Sequence, residues 1–199
     1  MISILFPILG YLSGSLPFSI WVTRYARNVD VRDAGSGHAT TTNTIRQAGF
    51  GWGALILILA IATGFLPTYL SMLFVGRDGI PPFIVPLTAA LAIAGHCWPL
   101  FAQFRGGMGL ATFGGSLLAV NWLAFIIGLG LLIVLLLVTR HGARASVFTG
   151  ILIAPCFWML NLRGTEFWVA IAGGIIIALR FTIDWNRKYR ELWLDREQQ

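Results

Sequence analysis

Phe104-Arg105-Gly106-Gly107-Met108-Gly109 is the segment of this chain best suited to hold an anion. Glycines let a backbone approach a phosphate closely and turn N–H groups toward its oxygens. Arg105 adds a cation, and a helix opening at Gly109 would add its positive end. A second polar cluster lies upstream, Gly35-Ser36-Gly37-His38-Ala39-Thr40-Thr41-Thr42-Asn43-Thr44-Ile45-Arg46. Its hydroxyls and Asn43 suit phosphate or sugar-alcohol oxygens, and Arg46 suits bidentate phosphate binding. The competing reading is a solvated loop in which a Thr or Asn caps the next helix. His96, in Gly95-His96-Cys97-Trp98-Pro99, is either a structural histidine or a residue that frames the same site. Together the clusters suggest an enzyme-like phosphate site at a membrane surface.

Metal chemistry has little support. Cys97 and Cys156 both lie in apolar runs, where cysteine behaves as a small hydrophobe. No CxxC or Cys/His spacing is present, and His38, His96 and His141 lack carboxylate support for a metal.

The elements that position these clusters must sit in a bilayer. Of 199 residues, 57% are hydrophobic and 11% charged, and mean hydropathy is +0.78. A soluble domain carries about 25% charged residues. The expected fold is an all-α integral membrane protein, one domain over residues 1–199, with no cleaved signal. A span needs about 20 apolar residues. Seven candidates emerge, at about 2–23, 49–74, 81–101, 109–120, 122–139, 146–161 and 165–181 by the apolar runs. The fourth is short and carries Gly114 and Gly115, and Asn121 marks the turn after it.

Charge orients this seven-helix polytopic bundle. With the N-terminus outside, the inner segments 24–48, 102–108, 140–145 and 182–199 collect twelve of the fourteen Arg and Lys residues, counting Arg180. Only Arg77 and Arg163 remain outside. That bias puts the C-terminus and every polar cluster on the cytoplasmic side. The net charge of +6 is thus split among short loops, which argues against nucleic acid as the partner. Arg140 and Arg144 read as helix-end anchors, with Ser146 beside them. Trp185, Tyr189 and Trp193 recur at helical spacing and suggest an interfacial tail. Mid-membrane charge is nearly absent, which disfavours a transporter.

The motifs resemble a known family. Gly14-Ser15-Leu16-Pro17-Phe18-Ser19, Asp30-Val31-Arg32 and Gly35-Ser36-Gly37-x5-Asn43-x2-Arg46 resemble the first motif of the bacterial acyl-phosphate:glycerol-3-phosphate acyltransferases, the PlsY family. Gly95-His96-x2-Pro99 with Phe104-Arg105-Gly106-Gly107-x-Gly109-x-Ala111-Thr112 resembles the second, and Thr139-Arg140 with Ser146 a further inner-loop element. The resemblance implies acyl transfer from an acyl phosphate to the 1-hydroxyl of glycerol 3-phosphate in a bacterial inner membrane. The products would be lysophosphatidic acid and phosphate, with no cofactor. It assigns Ser36, Arg46 and His96 to catalysis. His38, Asn43, Arg105, Gly106, Gly107, Gly109, Thr112, Arg140, Ser146, Asp184 and Arg187 would bind substrate.

Several positions depart from the resembled pattern. Met108 replaces a lysine of the glycine loop. His38 replaces an asparagine. Phe181 and Asp184 stand where a histidine and an asparagine are usual. An acyl phosphate carries its own leaving group, so catalysis needs positioning and charge neutralisation more than a covalent nucleophile. The hydroxyl proton could pass to His96, to His38 or to a donor phosphate oxygen. The rival expectation is a weakened or non-catalytic paralogue that binds lipid phosphate or a membrane partner.

Overall fold

Among the described residues, proline and glycine punctuation divides the apolar runs into nine α-helices. The computed structural model describes residues 2–75 and 82–187, and its regular structure there is helical. Helices α1 (Ile2–Gly14) and α2 (Phe18–Arg27) share the first apolar run. Ser15-Leu16-Pro17 breaks it, because Pro17 has no N–H to continue the ladder. The single first span expected at 2–23 is therefore two helices. Helix α3 (Thr41–Ala48) occupies part of the expected loop 24–48. The Thr40 hydroxyl opens it by accepting from the Asn43 N–H at 3.2 Å.

Helices α4 (Phe50–Phe74) and α5 (Ile84–Cys97) fall close to the second and third expected spans. A 3₁₀ turn, Leu100–Ala102, follows α5. Helix α6 (Leu110–Val120) is short; at 1.5 Å per residue it rises roughly 16 Å. Helix α7 (Trp122–Thr139) is capped by Asn121, whose side chain accepts from the Leu123 N–H at 2.9 Å. Helix α8 (Gly142–Met159) starts four residues before the expected 146, because His141 caps it. Helix α9 (Thr165–Thr182) closes the described fold. Tyr189 and Trp193 of the expected interfacial tail lie outside the described residues.

Among the described residues, six stretches are long and apolar enough to cross a membrane: Ile4–Arg27, Phe50–Phe74, Ile84–Ala102, Trp122–Thr139, Gly142–Met159 and Thr165–Thr182. Their outward faces are apolar. On α7, Ile126, Leu129, Ile133, Val134, Leu137 and Val138 are all exposed, as a lipid-facing helix requires. The core lies between α5, α6, α8 and α9, around Ile93, Phe113, Ile153, Phe157 and Ile177.

Small residues set the helix contacts. A Cβ on Gly14 would strike the Ala92 carbonyl, joining α1 to α5. One on Gly115 would strike the Ile61 carbonyl, joining α6 to α4, and one on Gly150 the Gly174 carbonyl, joining α8 to α9. Lipid supplies no hydrophobic drive between helices, so such close backbone approach is what holds them.

Candidate functional site

The glycine loop lies against the end of α5. The Gly107 N–H donates to the His96 carbonyl at 3.0 Å. The Gly106 carbonyl accepts from the Ala39 N–H at 3.3 Å, stitching the loop to the 35–40 segment. A Cβ on Gly107 would meet His96 Nε2 at 2.5 Å and the Ala39 carbonyl at 2.6 Å. Gly109 has φ +79°, a left-handed conformation, and sits over Cys97 Sγ. The glycines thus serve backbone packing first, and the Gly107 N–H points inward. Helix α6 begins directly after them without a side-chain cap, so its first N–H groups are the ones positioned for an anion.

The upstream cluster is tied just as closely. Asn43 is wholly buried. Its amide donates to the carbonyls of Val31 (2.7 Å), Ala34 (3.0 Å) and His38 (3.1 Å), and its Oδ1 accepts from the Ser36 N–H (3.3 Å). Asn43 therefore shapes the Gly35-Ser36-Gly37 turn that presents Ser36 and His38. Gln47 donates to the same two carbonyls, Val31 and Ala34, at 2.8 and 3.2 Å.

Asp30 anchors the start of this segment. The Arg32 guanidinium bonds it at 2.8 and 2.9 Å and holds its carboxyl well below the usual carboxylate range. Arg32 also donates to the Ala102 carbonyl at 3.0 Å, linking this anchor to the turn before the glycine loop.

His38 reaches the far end of the chain. Its Nε2 lies 3.0 Å from Asp184 Oδ2, and the Arg187 guanidinium is 3.5 Å from Asp184 Oδ1. Ser36, His38, Asn43, His96, Gly106, Gly107, Asp184 and Arg187 thus form one connected set at one end of the bundle. Arg46 is half-buried on α3, one helical turn from Asn43.

Other expected site residues stand apart. Thr112 is buried in the α4–α6 contact, its hydroxyl 3.5 Å from that of Thr63. The Ser146 hydroxyl donates within α8 to Gly142 at 2.9 Å. Arg140 is exposed at the end of α7, and Arg105 is exposed on the loop surface. Among the described residues no three His, Cys, Asp or Glu side chains gather as metal ligands.

The model of a family described as glycerol-3-phosphate acyltransferase matches residues 4–191. This chain belongs to that family. A glycerol-3-phosphate acyltransferase of Rubrobacter xylanophilus is 37% identical over 164 residues, covering 81% of this chain and 78% of the relative. One from Thermotoga petrophila is 36% identical over 143 residues, covering 72% and 71%. A crystal structure of PlsY (YgiH), an integral membrane glycerol 3-phosphate acyltransferase in its glycerol 3-phosphate form, superposes with TM-score 0.82. It is 27% identical, and the match covers 94% of this chain and 92% of that one. Its lysophosphatidic acid form gives TM-score 0.79 at 26% identity, covering 94% and 91%. The chain is accordingly a multi-pass membrane protein.

Within this family frame, two residues escaped the sequence reading. Arg180 is 9% exposed, donates from Nε to the Gly107 carbonyl at 3.0 Å, and lies 5.8 Å from the Trp98 ring. It places a guanidinium directly beneath the glycine loop that lacks its lysine. By sequence it was one more arginine at a helix end. Arg144 donates to the Trp185 carbonyl at 3.3 Å and lies 5.6 Å from its ring, fixing the turn that carries Asp184. The two polar departures from the resembled pattern, His38 and Asp184, are in contact with each other.

Proposed function

We propose that this chain transfers an acyl group from an acyl phosphate to the 1-hydroxyl of glycerol 3-phosphate, releasing lysophosphatidic acid and phosphate. The observation that carries the reading is the arrangement at the glycine loop. The uncapped start of α6, the buried Arg180 and the polar 35–46 segment converge there. An anion at that point would meet helix N–H groups and a desolvated guanidinium together. Ser36, Arg46 and His96 form the reacting centre, with Gly106, Gly107 and Gly109 as its floor. Arg105 and Arg187 add positive charge at its rim, and Arg180 stands in for the cation absent at Met108.

The chain crosses a bacterial inner membrane seven times in this reading, with α1 and α2 as one broken crossing and α6 as a shortened one. The N-terminus lies outside, and the site faces the cytoplasm. The distribution of arginine among the polar segments supports that orientation. The acyl donor arrives from the lipid side and glycerol 3-phosphate from water. Catalysis is positioning and charge neutralisation, since the acyl phosphate is already activated.

Purified protein in detergent or lipid mesophase, given palmitoyl phosphate and glycerol 3-phosphate, is expected to release phosphate and lysophosphatidic acid in step. Absence of lysophosphatidic acid, with the Rubrobacter relative active in parallel, would refute the assignment and support a non-catalytic paralogue.

A further inference from the structure

We infer that the turn from Trp98 to Arg105 is immersed in the lipid leaflet at the site's end of the bundle and forms the lip over which the acyl donor enters. The donor's use of the lip rests on the acyltransferase reading above; the immersion of the turn does not. Trp98, Leu100, Phe101 and Phe104 are all exposed, the last two at 54% and 56%. Between them only Pro99 and Ala102 are buried, and Gln103 is the one uncharged polar side chain. A turn facing water is built from small and polar residues, whereas a contiguous exposed apolar patch marks a surface that another apolar phase covers. In a multi-pass membrane protein that phase is the bilayer. The patch is continuous with the lipid-facing surface: the Tyr11 hydroxyl of α1 donates to the Trp98 carbonyl at 2.9 Å, and α1 exposes Leu5, Ile8 and Leu9. Trp, Leu and Phe followed by an arginine suit a segment lying at the bilayer interface, where Arg105 keeps its charge among the head groups while the rings sink.

The backbone of the turn is strained in a way that serves this exposure. Gln103 and Phe104 are consecutive and both left-handed, with φ +56° and +58°. Residues with a Cβ seldom adopt that conformation. Two hydrogen bonds hold it, from the Phe104 N–H to the Pro99 carbonyl at 2.9 Å and from the Arg105 N–H to the Ala102 carbonyl at 3.1 Å. The Arg32 guanidinium donates to the same Ala102 carbonyl at 3.0 Å. Ala102 is thereby kept inside while Phe101 and Phe104 stay outside. Strain of this kind persists only where the surrounding structure enforces it, and it clusters at functional sites.

The turn also runs straight into the glycine loop. Its two buried residues, Pro99 and Ala102, line the same cavity as His96, Gly106, Gly107 and Pro17 of the α1–α2 break. One side of the turn therefore faces that cavity and the other the apolar exterior. An acyl phosphate is an anionic head on a long tail. Its head must pass from the head-group layer to the glycine loop while its tail stays in lipid. The turn covers that step, with Arg105 for the head and Leu100, Phe101 and Phe104 for the tail. Glycerol 3-phosphate has no tail and does not use the lip.

The first test locates the turn. Phe101→Cys is labelled with bimane in a Cys156→Ser background, Cys97 being buried, and the protein is placed in vesicles of phosphatidylglycerol and phosphatidylethanolamine. We expect loss of emission with lipids brominated along their tails and little loss with aqueous iodide. The reverse pattern puts the turn in water, as a protein-binding face would be, and overturns the proposal. The second test is kinetic, in the same vesicles, on the double variant Phe101→Asn/Phe104→Asn. Asparagine tolerates the left-handed conformation at 104, so the backbone is kept while the apolar rings are lost. KM for palmitoyl phosphate should rise about tenfold, with kcat and KM for glycerol 3-phosphate within about twofold. An unchanged KM for palmitoyl phosphate, or an equal rise for glycerol 3-phosphate, overturns the proposal. Should the double variant fail to fold, Phe101→Asn alone is read the same way. An inactive parent enzyme refutes the acyltransferase reading instead, and the quenching still decides where the turn lies.

Discussion

Two sets of glycines in this molecule do different work. Gly115, Gly150 and Gly174 sit in helix interiors, where each lets one helix backbone touch another. Gly106, Gly107 and Gly109 sit in a loop, where they let the chain lie on the end of α5 and on the 35–40 segment. Both sets avoid a Cβ clash, yet the consequences of adding one differ. In the helix contacts a Cβ pushes two helices apart and costs stability. In the loop it displaces the backbone proposed to meet substrate, and the expected cost is turnover. Glycine content alone therefore says nothing about function; the opposing atom does.

The sharpest way to break this comparison is Gly107→Ala. Its Cβ would meet His96 Nε2 and the Ala39 carbonyl. We expect kcat/KM to fall about 100-fold or more, the loss typical of a removed transition-state contact, with helical content by circular dichroism unchanged. Parental turnover would show that the loop tolerates displacement.

Arg180→Ala should follow, with a fall of roughly 30- to 100-fold in kcat/KM, since it removes both the Gly107 clamp and the buried charge. Arg180→Lys should recover only part of that, because an ammonium lacks the guanidinium fork. Equal rescue by lysine would mean that charge alone matters.

Gly115→Leu probes the other set. The added side chain strikes the Ile61 backbone, and overpacking of this kind costs about 1–3 kcal/mol. A lower apparent melting temperature in detergent is expected, with near-parental turnover per folded molecule below it. A selective loss of turnover would erase the distinction between the two sets.

Asp30→Asn tests the anchor beside the site. Arg32 depresses the Asp30 carboxyl, so its stabilisation is complete above about pH 4 and is lost as pH falls through the depressed value. The variant should be less stable than the parent by about 1 kcal/mol at both pH 7 and pH 5. The gap should close only in stronger acid. A gap that closes between pH 7 and 5 would contradict the pairing.

The smallest effect is expected from Thr112→Val. Its hydroxyl contacts Thr63 in the α4–α6 contact, where such bonds contribute about 0.6 kcal/mol. Parental kcat and KM would place Thr112 outside the substrate site, against the role its motif position implies. A raised KM would restore that role.

The helical class and the rough positions of the apolar stretches were legible in the sequence, because apolar length is a local property. α4, α7 and α9 fall within a few residues of expectation. The break at Ser15-Leu16-Pro17 and the His141 cap of α8 were also present as residue types. Hydropathy averages over such points and conceals them. The glycine loop and the 35–46 cluster stood out by composition, and they do meet. Their partners did not stand out. Arg180 resembles any arginine at a helix end until its Nε is found on the Gly107 carbonyl. Thr112 reads as the end of a substrate motif until α6 turns it toward α4.

Sequence alone determined that this chain is built from membrane-length apolar helices, that its cations collect in a few polar segments, and that a glycine loop accompanies them. Those are properties of composition and short-range order. Only the tertiary structure decided that His38 meets Asp184, that Arg180 underlies the glycine loop, and that Asn43 is consumed by its own turn. These contacts depend on the depth and rotation of helices that pack through glycine. A shift of one residue in that packing turns a helix by about 100° and would carry Arg180 away from the glycine loop.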